Sequence, residues 1–264
     1  MVESLYIAKG IEFAYKPEAP VLRGVDFHIE PGELIALIGP NGSGKSTLLK
    51  LLAGLLRPQK GTIEFLGRTL DRIPPRELAR EVAYLPQEDE IHFPFSVGEV
   101  VMLGRWPHSG GAFFDSKSDR DASAQAMKLA GIQDWGGRQI TELSGGERAR
   151  VMLAKAIATE PKCFLLDEPV SELDLKYRSE AYKLLRSLAD EGRSVVVVAH
   201  DVGAVARWSD RLVLLAGGRV IADGSPDEVL TQSRLKDAYG IDVKVISDGP
   251  DRAVFAVSGG DAAG

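Results

Sequence analysis

Cysteine is nearly missing from this sequence: Cys163 is the only one in 264 residues. A disulfide framework and a cysteine-built zinc cluster are both excluded, and a reducing, cytoplasmic setting fits. Long apolar runs are missing as well. No stretch approaches the roughly 18 to 20 residues that cross a bilayer, so the chain is not expected to span a membrane by itself. The opening Met1-Val2-Glu3-Ser4 carries neither a basic nor an apolar segment, and no secretory leader is expected. An excess of positive charge is absent too. Lys+Arg 32 against Asp+Glu 38 gives a net charge of -6, which lends no support to non-specific nucleic-acid binding. No internal repeat is found. What is present, 44% hydrophobic and 27% charged residues, is too apolar for a largely disordered chain and ample for a real core.

The apolar pattern reads as α/β. Residues 5–29 alternate short apolar pieces around Lys16-Pro17, as small antiparallel strands do. Residues 33–38 are almost continuously apolar, as a strand buried on both faces requires. They run straight into Gly39-Pro40-Asn41-Gly42-Ser43-Gly44-Lys45-Ser46-Thr47, after which Leu48, Leu49, Leu51, Leu52, Leu55 and Leu56 recur at helical spacing. Two later segments repeat the buried-strand pattern: 163–166 ends in Asp167-Glu168, and 195–199 ends in His200-Asp201. Polar groups just past the carboxyl ends of apolar strands suit an open, mostly parallel sheet, which binds ligands at that edge. Residues 97–158 lack such strands, and 121–130 and 145–158 read as helices, so an inserted helical subdomain is expected there. Two hairpins follow, one around Ala216-Gly217-Gly218 and one around Asp248-Gly249-Pro250, before a small, polar tail, 258–264, expected to fray. The expectation is one domain over 1–264. An α/β lobe takes 1–96 and 159–240, helices take 97–158, and a short hairpin and tail take 241–264.

Residues 39–46 satisfy G-x-x-x-x-G-K-[ST] at every required position. The glycines let several backbone N–H groups turn towards one oxyanion, and the helix that starts near Lys45 adds its positive pole. Lys45 then neutralises the β- and γ-phosphates and the Ser46 hydroxyl holds Mg²⁺. Asp167 supports the hydrated ion, which takes one or two carboxylates rather than an all-protein cage. Glu168 beside the γ-phosphate polarises the attacking water as a general base. An acidic pair at a strand end is a common solvated turn; the lysine loop upstream is what gives this pair its meaning.

Leu143-Ser144-Gly145-Gly146-Glu147 precedes the second helical piece of that middle region. Ser-Gly-Gly at a helix start offers free N–H groups and a hydroxyl, a second anion site. With these three motifs in one order, the chain resembles the nucleotide-binding subunit of ATP-binding-cassette (ABC) transporters over about residues 4 to 240. The resemblance implies a P-loop, RecA-like sheet with helices on both faces, an N-terminal antiparallel subdomain and an inserted helical one. It assigns Tyr15 to stacking on adenine, Gln87 in Leu85-Pro86-Gln87-Glu88 to Mg²⁺ and the attacking water, and His200 to the γ-phosphate. Ser171-Glu172-Leu173-Asp174 matches the D-loop. Val170 and Glu172 depart from the commonest residues at their positions, which bears on interface coupling rather than chemistry. The implied mechanism is a head-to-tail homodimer holding two ATP molecules. Each lies between the Lys45 loop of one chain and Ser144, Gly145, Gly146 and Glu147 of the other, and hydrolysis opens the pair.

Val101-Met102-Leu103-Gly104-Arg105-Trp106-Pro107-His108 looks like the Gly-Arg-x-Pro-His stretch of ATPases that import iron chelates, haem or cobalamin. That resemblance implies polytopic permease subunits as partners, a solute-binding protein outside the membrane reached only indirectly, and a place on the cytoplasmic face of the inner membrane. The solute stays open among the three. The alternatives are the ATPase of a different ABC transporter branch and a soluble ABC ATPase of DNA repair or translation, though such soluble proteins typically carry a long coiled coil or two cassettes. Residues 87–143 offer no heptad run, and only one phosphate loop occurs.

Overall fold

The computed structural model describes residues 4–87, 93–109, 116–249 and 251–257. The tail 258–264 and Pro250, in the turn of the second expected hairpin, lie outside them. In chain order the strands are β1 (Tyr6–Lys16), β2 (Ala19–Ile29), β3 (Leu34–Ile38), β4 (Lys60–Phe65), β5 (Arg68–Thr69), β6 (Val82–Leu85), β7 (Cys163–Asp167), β8 (Ser194–Val198), β9 (Arg211–Ala216), β10 (Arg219–Gly224), β11 (Val243–Asp248) and β12 (Asp251–Ala256). The helices are α1 (Lys45–Leu52), α2 (Pro75–Glu81), α3 (Val97–Met102), α4 (Lys117–Leu129), α5 (Gly145–Ala158), α6 (Leu175–Asp190), α7 (Val202–Ala206), α8 (Pro226–Val229) and α9 (Gln232–Tyr239).

The central sheet has the order β10-β9-β3-β8-β7-β6. Every pairing from β9 to β6 is parallel, and β10 joins β9 as an antiparallel edge strand. All five residues of β3, of β7 and of β8 are buried, which explains their unbroken apolar runs. Alternation across β3 divides the interior in two. Leu34, Ala36 and Ile38 face a core shared with α3 to α6, while Ile35 and Leu37 face one shared with α1 and the antiparallel sheet β2-β1-β4-β5. Each fully buried Val, Leu or Ile contributes about 1.5–3 kcal/mol, so the sheet is a rigid base for whatever its ends carry.

Helix α1 is shorter than the leucine spacing predicts. It stops at Leu52; Gly54 takes a left-handed φ of 70°, and Leu55 beyond it is 61% exposed. A glycine at that turn ends the helix, and the leucine period runs past it. The two helices expected in the middle region are α4 and α5, the latter from Gly145 to Ala158.

Candidate nucleotide site

Parallel strands put all their carboxyl ends on one edge. The strand order β3-β8-β7-β6 therefore lines up, side by side, the loop after β3, His200 after β8, Asp167 and Glu168 at the end of β7, and Gln87 after β6. Because β7 lies between its two neighbours, Glu168 is bracketed. His200 Nε2 lies 2.6 Å from Glu168 Oε1, and Gln87 Nε2 donates to Glu168 Oε2 at 3.1 Å. Glu168 holds a left-handed φ of 55°, which for a residue with a side chain costs about 1–2 kcal/mol. That strain turns the carboxylate to the edge, where the two neighbours reach it.

The loop after β3 is built by close approach. Gly39 has φ 141°, and a β-carbon there would stand 1.9 Å from the Leu215 carbonyl oxygen. Gly44, the residue before α1, is left-handed and gives the helix no side-chain cap. The first N–H groups of α1 thus lack the partner that a cap supplies. Lys45 Nζ donates to the carbonyls of Gly39 and Pro40 at 2.8 and 3.0 Å, curling the loop around its ammonium. Ser46 Oγ donates to Asp167 Oδ1 at 3.0 Å across the edge. Burial pulls the Lys45 ammonium below its ordinary pKa, against the pull of Glu168 and Asp167. Burial also raises Asp167, opposed by its Ser46 hydrogen bond and reinforced by Glu168. A buried ammonium and a buried carboxylate, each disfavoured in its charged form, lie side by side where a metal–phosphate substrate would add counter-charge.

The polar atoms fit that substrate. Ser43 Oγ is buried in the loop with no hydrogen-bond partner, an orphan that a phosphate oxygen would satisfy. Ser46 and Asp167 are hard oxygen donors of the kind Mg²⁺ takes. Tyr15 lies on β1, 59% exposed, with its hydroxyl 3.5 Å from Thr47 Oγ1 and its ring edge-on to Phe13. One contributor is not signalled by the sequence. Tyr239, a half-buried phenol that burial raises above its ordinary pKa, lies near the Gly39 backbone N–H, which opposes that rise. A lone tyrosine at the end of a short helix carries no motif, and only the packing of α9 on the sheet brings it there.

Ser144 starts α5 and does not join this cluster in the single chain. It is the N-cap of a capping box: Glu147 N–H donates to Ser144 Oγ at 3.3 Å, and Ser144 N–H donates to Glu147 Oε2 at 2.9 Å. Arg138 Nη1 donates to Glu147 Oε1 at 2.8 Å. The Ser144 N–H, followed by Arg138, holds the Glu147 carboxyl down to about 2. The D-loop lies against this turn, since a β-carbon on Gly145 would stand 2.2 Å from Glu172 Oε2.

A profile of the ABC transporter family matches residues 22–171. The hemin import ATP-binding protein HmuV of Streptomyces coelicolor is 44% identical over 226 residues, 86% of this chain and 80% of that protein. The chain belongs to the ABC transporter family. The protein of the same name from Gloeobacter violaceus is 40% identical over 233 residues, 86% of this chain and 84% of its own length. Among solved structures, an inward-facing ABC transporter described as of metal-chelate type superposes with a TM-score of 0.83 at 28% identity, covering 97% of both chains. A dimeric ATP-binding cassette in a post-hydrolysis state with ADP and Pi superposes with a TM-score of 0.75 at 27% identity, over 84% of this chain and 98% of that one. Membership makes the chain an ATPase, the ATP-binding part of a transporter. Among the described residues no helix is long and apolar enough to cross a membrane.

Proposed function

We propose that this ATPase powers haem import from the cytoplasmic face of the inner membrane, as a homodimer bound to separate polytopic permease subunits. The observation that carries the catalytic part is the convergence of Gln87 and His200 on Glu168, beside the one described helix of eight residues or more that starts without a side-chain cap. The cargo rests on the relatives that bear the hemin import name. In this reading the triphosphate of ATP lies along Gly39 to Thr47, with Lys45 against its β- and γ-oxygens and Tyr15 against adenine. Ser46, Asp167 and Gln87 would hold Mg²⁺, which supplies positive charge to the leaving and transferred phosphates. Glu168 accepts a proton from the attacking water, and Gln87 and His200 keep its carboxylate aimed. Ser144, Gly145, Gly146 and Glu147 of a second copy close over the γ-phosphate, so that two helix starts grip one triphosphate.

The permease is proposed to dock beside the 97–158 insertion. A groove of about 260 Å³ runs there between Ala79, Leu85, Leu103, Trp106 and Met152. The Gly-Arg-x-Pro-His stretch builds its rim. Arg105, buried, donates to Asp119 at 3.0 Å and to the Ala158 carbonyl at 2.7 Å. The Pro107 carbonyl accepts from Arg76 and Arg80 of α2 at 3.0 and 2.8 Å, and His108 Nε2 lies 2.9 Å from the Thr159 carbonyl. The stretch thus ties the insertion to the lobe and leaves Trp106 exposed at the groove. The test is purification of the tagged chain from native membranes in mild detergent, followed by reconstitution of the complex in vesicles. A stoichiometric polytopic partner and ATP-dependent uptake of haem, ahead of ferric siderophore or cobalamin, are expected. No membrane partner would remove the transport reading; uptake of another solute would change only the cargo.

A further inference from the structure

The end of the chain turns back onto the site. The β11–β12 hairpin, paired from Val243↔Ala256 to Asp248↔Asp251, lies along α7, which starts two residues after His200. The approach is close: a β-carbon on Gly203 would stand 2.3 Å from the Arg252 carbonyl oxygen and 3.4 Å from Ala253 Cα. At the exposed edge Arg207 Nη1 pairs with Asp251 Oδ1 at 2.5 Å. From the other side Asp201 fixes the start of α7, accepting the Ala204 N–H at 3.0 Å and facing Arg178 Nη1 at 3.4 Å. Next to the hairpin, a cavity of about 410 Å³ opens between His200, Tyr239, Arg252 and Phe255.

His200 is not held by its own packing, because 49% of its side chain is exposed. Its reach to Glu168 therefore depends on where the backbone between β8 and α7 sits. The Nε2–Oε1 distance of 2.6 Å leaves little slack, since a displacement of about 1 Å takes it beyond hydrogen-bond range. We infer that the β11–β12 hairpin positions His200 through α7. Gly203, Arg207, Asp251 and Arg252 are positioning residues for ATP hydrolysis, and none of them touches the substrate. The inference rests on the reading of His200 as a member of the hydrolytic site. Its magnitude follows from the packing. An alanine at 203 must move about 1 Å to clear the Arg252 carbonyl, as large as the slack at His200, and misplacement on that scale costs up to about 10²-fold in rate.

The test is a double-variant cycle on the full-length protein, reading kcat and KM for ATP. Gly203→Ala should lower kcat about tenfold or more while KM stays within about twofold. Introduced into His200→Ala it should cost nothing further, because the group it acts through is already gone. Arg207→Gln, a surface change that does not threaten folding, should lower kcat about twofold and vanish in the same background. Exchanging the pair, Arg207→Asp with Asp251→Arg, should restore the rate. Wild-type kcat in Gly203→Ala overturns the inference, as does a loss repeated undiminished on His200→Ala. If Gly203→Ala does not fold, the Arg207 cycle decides by the same two criteria. Full turnover in His200→Ala alone would remove the assigned role of His200 and the inference with it, a result separate from additivity.

Discussion

Two helix starts, those of α1 and α5, are finished in opposite ways. Helix α1 begins from a left-handed Gly44 with no side-chain cap, whereas α5 begins from Ser144 inside a complete capping box. The other described helices of eight residues or more follow α5: Ser116, Asp174 and Thr231 cap α4, α6 and α9. A cap and a bound anion satisfy the same orphan N–H groups, so a helix that omits the cap keeps its donors for a ligand. Around α1 the omission is accompanied by a buried Lys45, an unpartnered Ser43 hydroxyl and a raised Asp167. Around α5 the capping box already takes the Glu147 N–H. In the proposed function, α1 is completed by substrate within its own chain, whereas α5 carries its own cap and meets a phosphate across the homodimer.

The largest expected effect breaks the first half of that contrast. Glu168→Gln should lower turnover by about 10²–10⁴-fold, because proton abstraction is lost while the loop is intact. Phosphate release measures the rate, and a nucleotide titration should show affinity near wild type; unchanged turnover would take Glu168 out of the chemistry. Next in size, Lys45→Ala should weaken ATP by about 10- to 100-fold, the worth of hydrogen bonds to a charged group. The same titration decides it. Equal affinity would mean that the backbone N–H groups of α1 hold the triphosphate without the ammonium.

What the sequence displays of this arrangement is the part written in contiguous residues. The loop 39–47 and the apolar strands that end at Asp167 and Ala199 are each local patterns, and each is found where it was expected. The bracketing of Glu168 is different. It depends on β6 pairing with β7 across about eighty residues of chain, and Val82 to Leu85 is too short an apolar run to announce itself. The end of α1 is not legible because the leucine period continues beyond Gly54. Tyr239 at Gly39 and Arg252 against Gly203 could not be read at all, since backbone approach between distant segments leaves no spacing rule.

A smaller effect sharpens the second half of the contrast. Ser144→Ala removes the cap of α5 and should cost about 1 kcal/mol of stability in the absence of nucleotide. It should also weaken ATP-driven dimerisation, measured by light scattering on the Glu168→Gln background. The two readouts separate the roles. Lost stability with normal dimerisation would make Ser144 a cap only, and weaker dimerisation at full stability would mean that the box contributes nothing to the fold.

The smallest effect is the pH dependence, and here the two starts should differ in sign. Glu147 is held down to about 2, chiefly by the Ser144 N–H. A carboxyl whose folded pKa is depressed adds stability that is complete above its ordinary value of about 4.5 and is lost as pH falls through about 2. The stability gap between wild type and Glu147→Gln should therefore close on acidification across that window. Asp167 is raised, mainly by burial. Its carboxylate weighs against the nucleotide-free fold at neutral pH, and protonation relieves that cost. Asp167→Asn should accordingly be the more stable protein at pH 7, with its advantage shrinking as acid protonates the wild-type side chain. Denaturant titrations of both variants against wild type read the two slopes. Slopes of the same sign would mean that α1 is satisfied like α5, and that its missing cap is not kept open for a ligand.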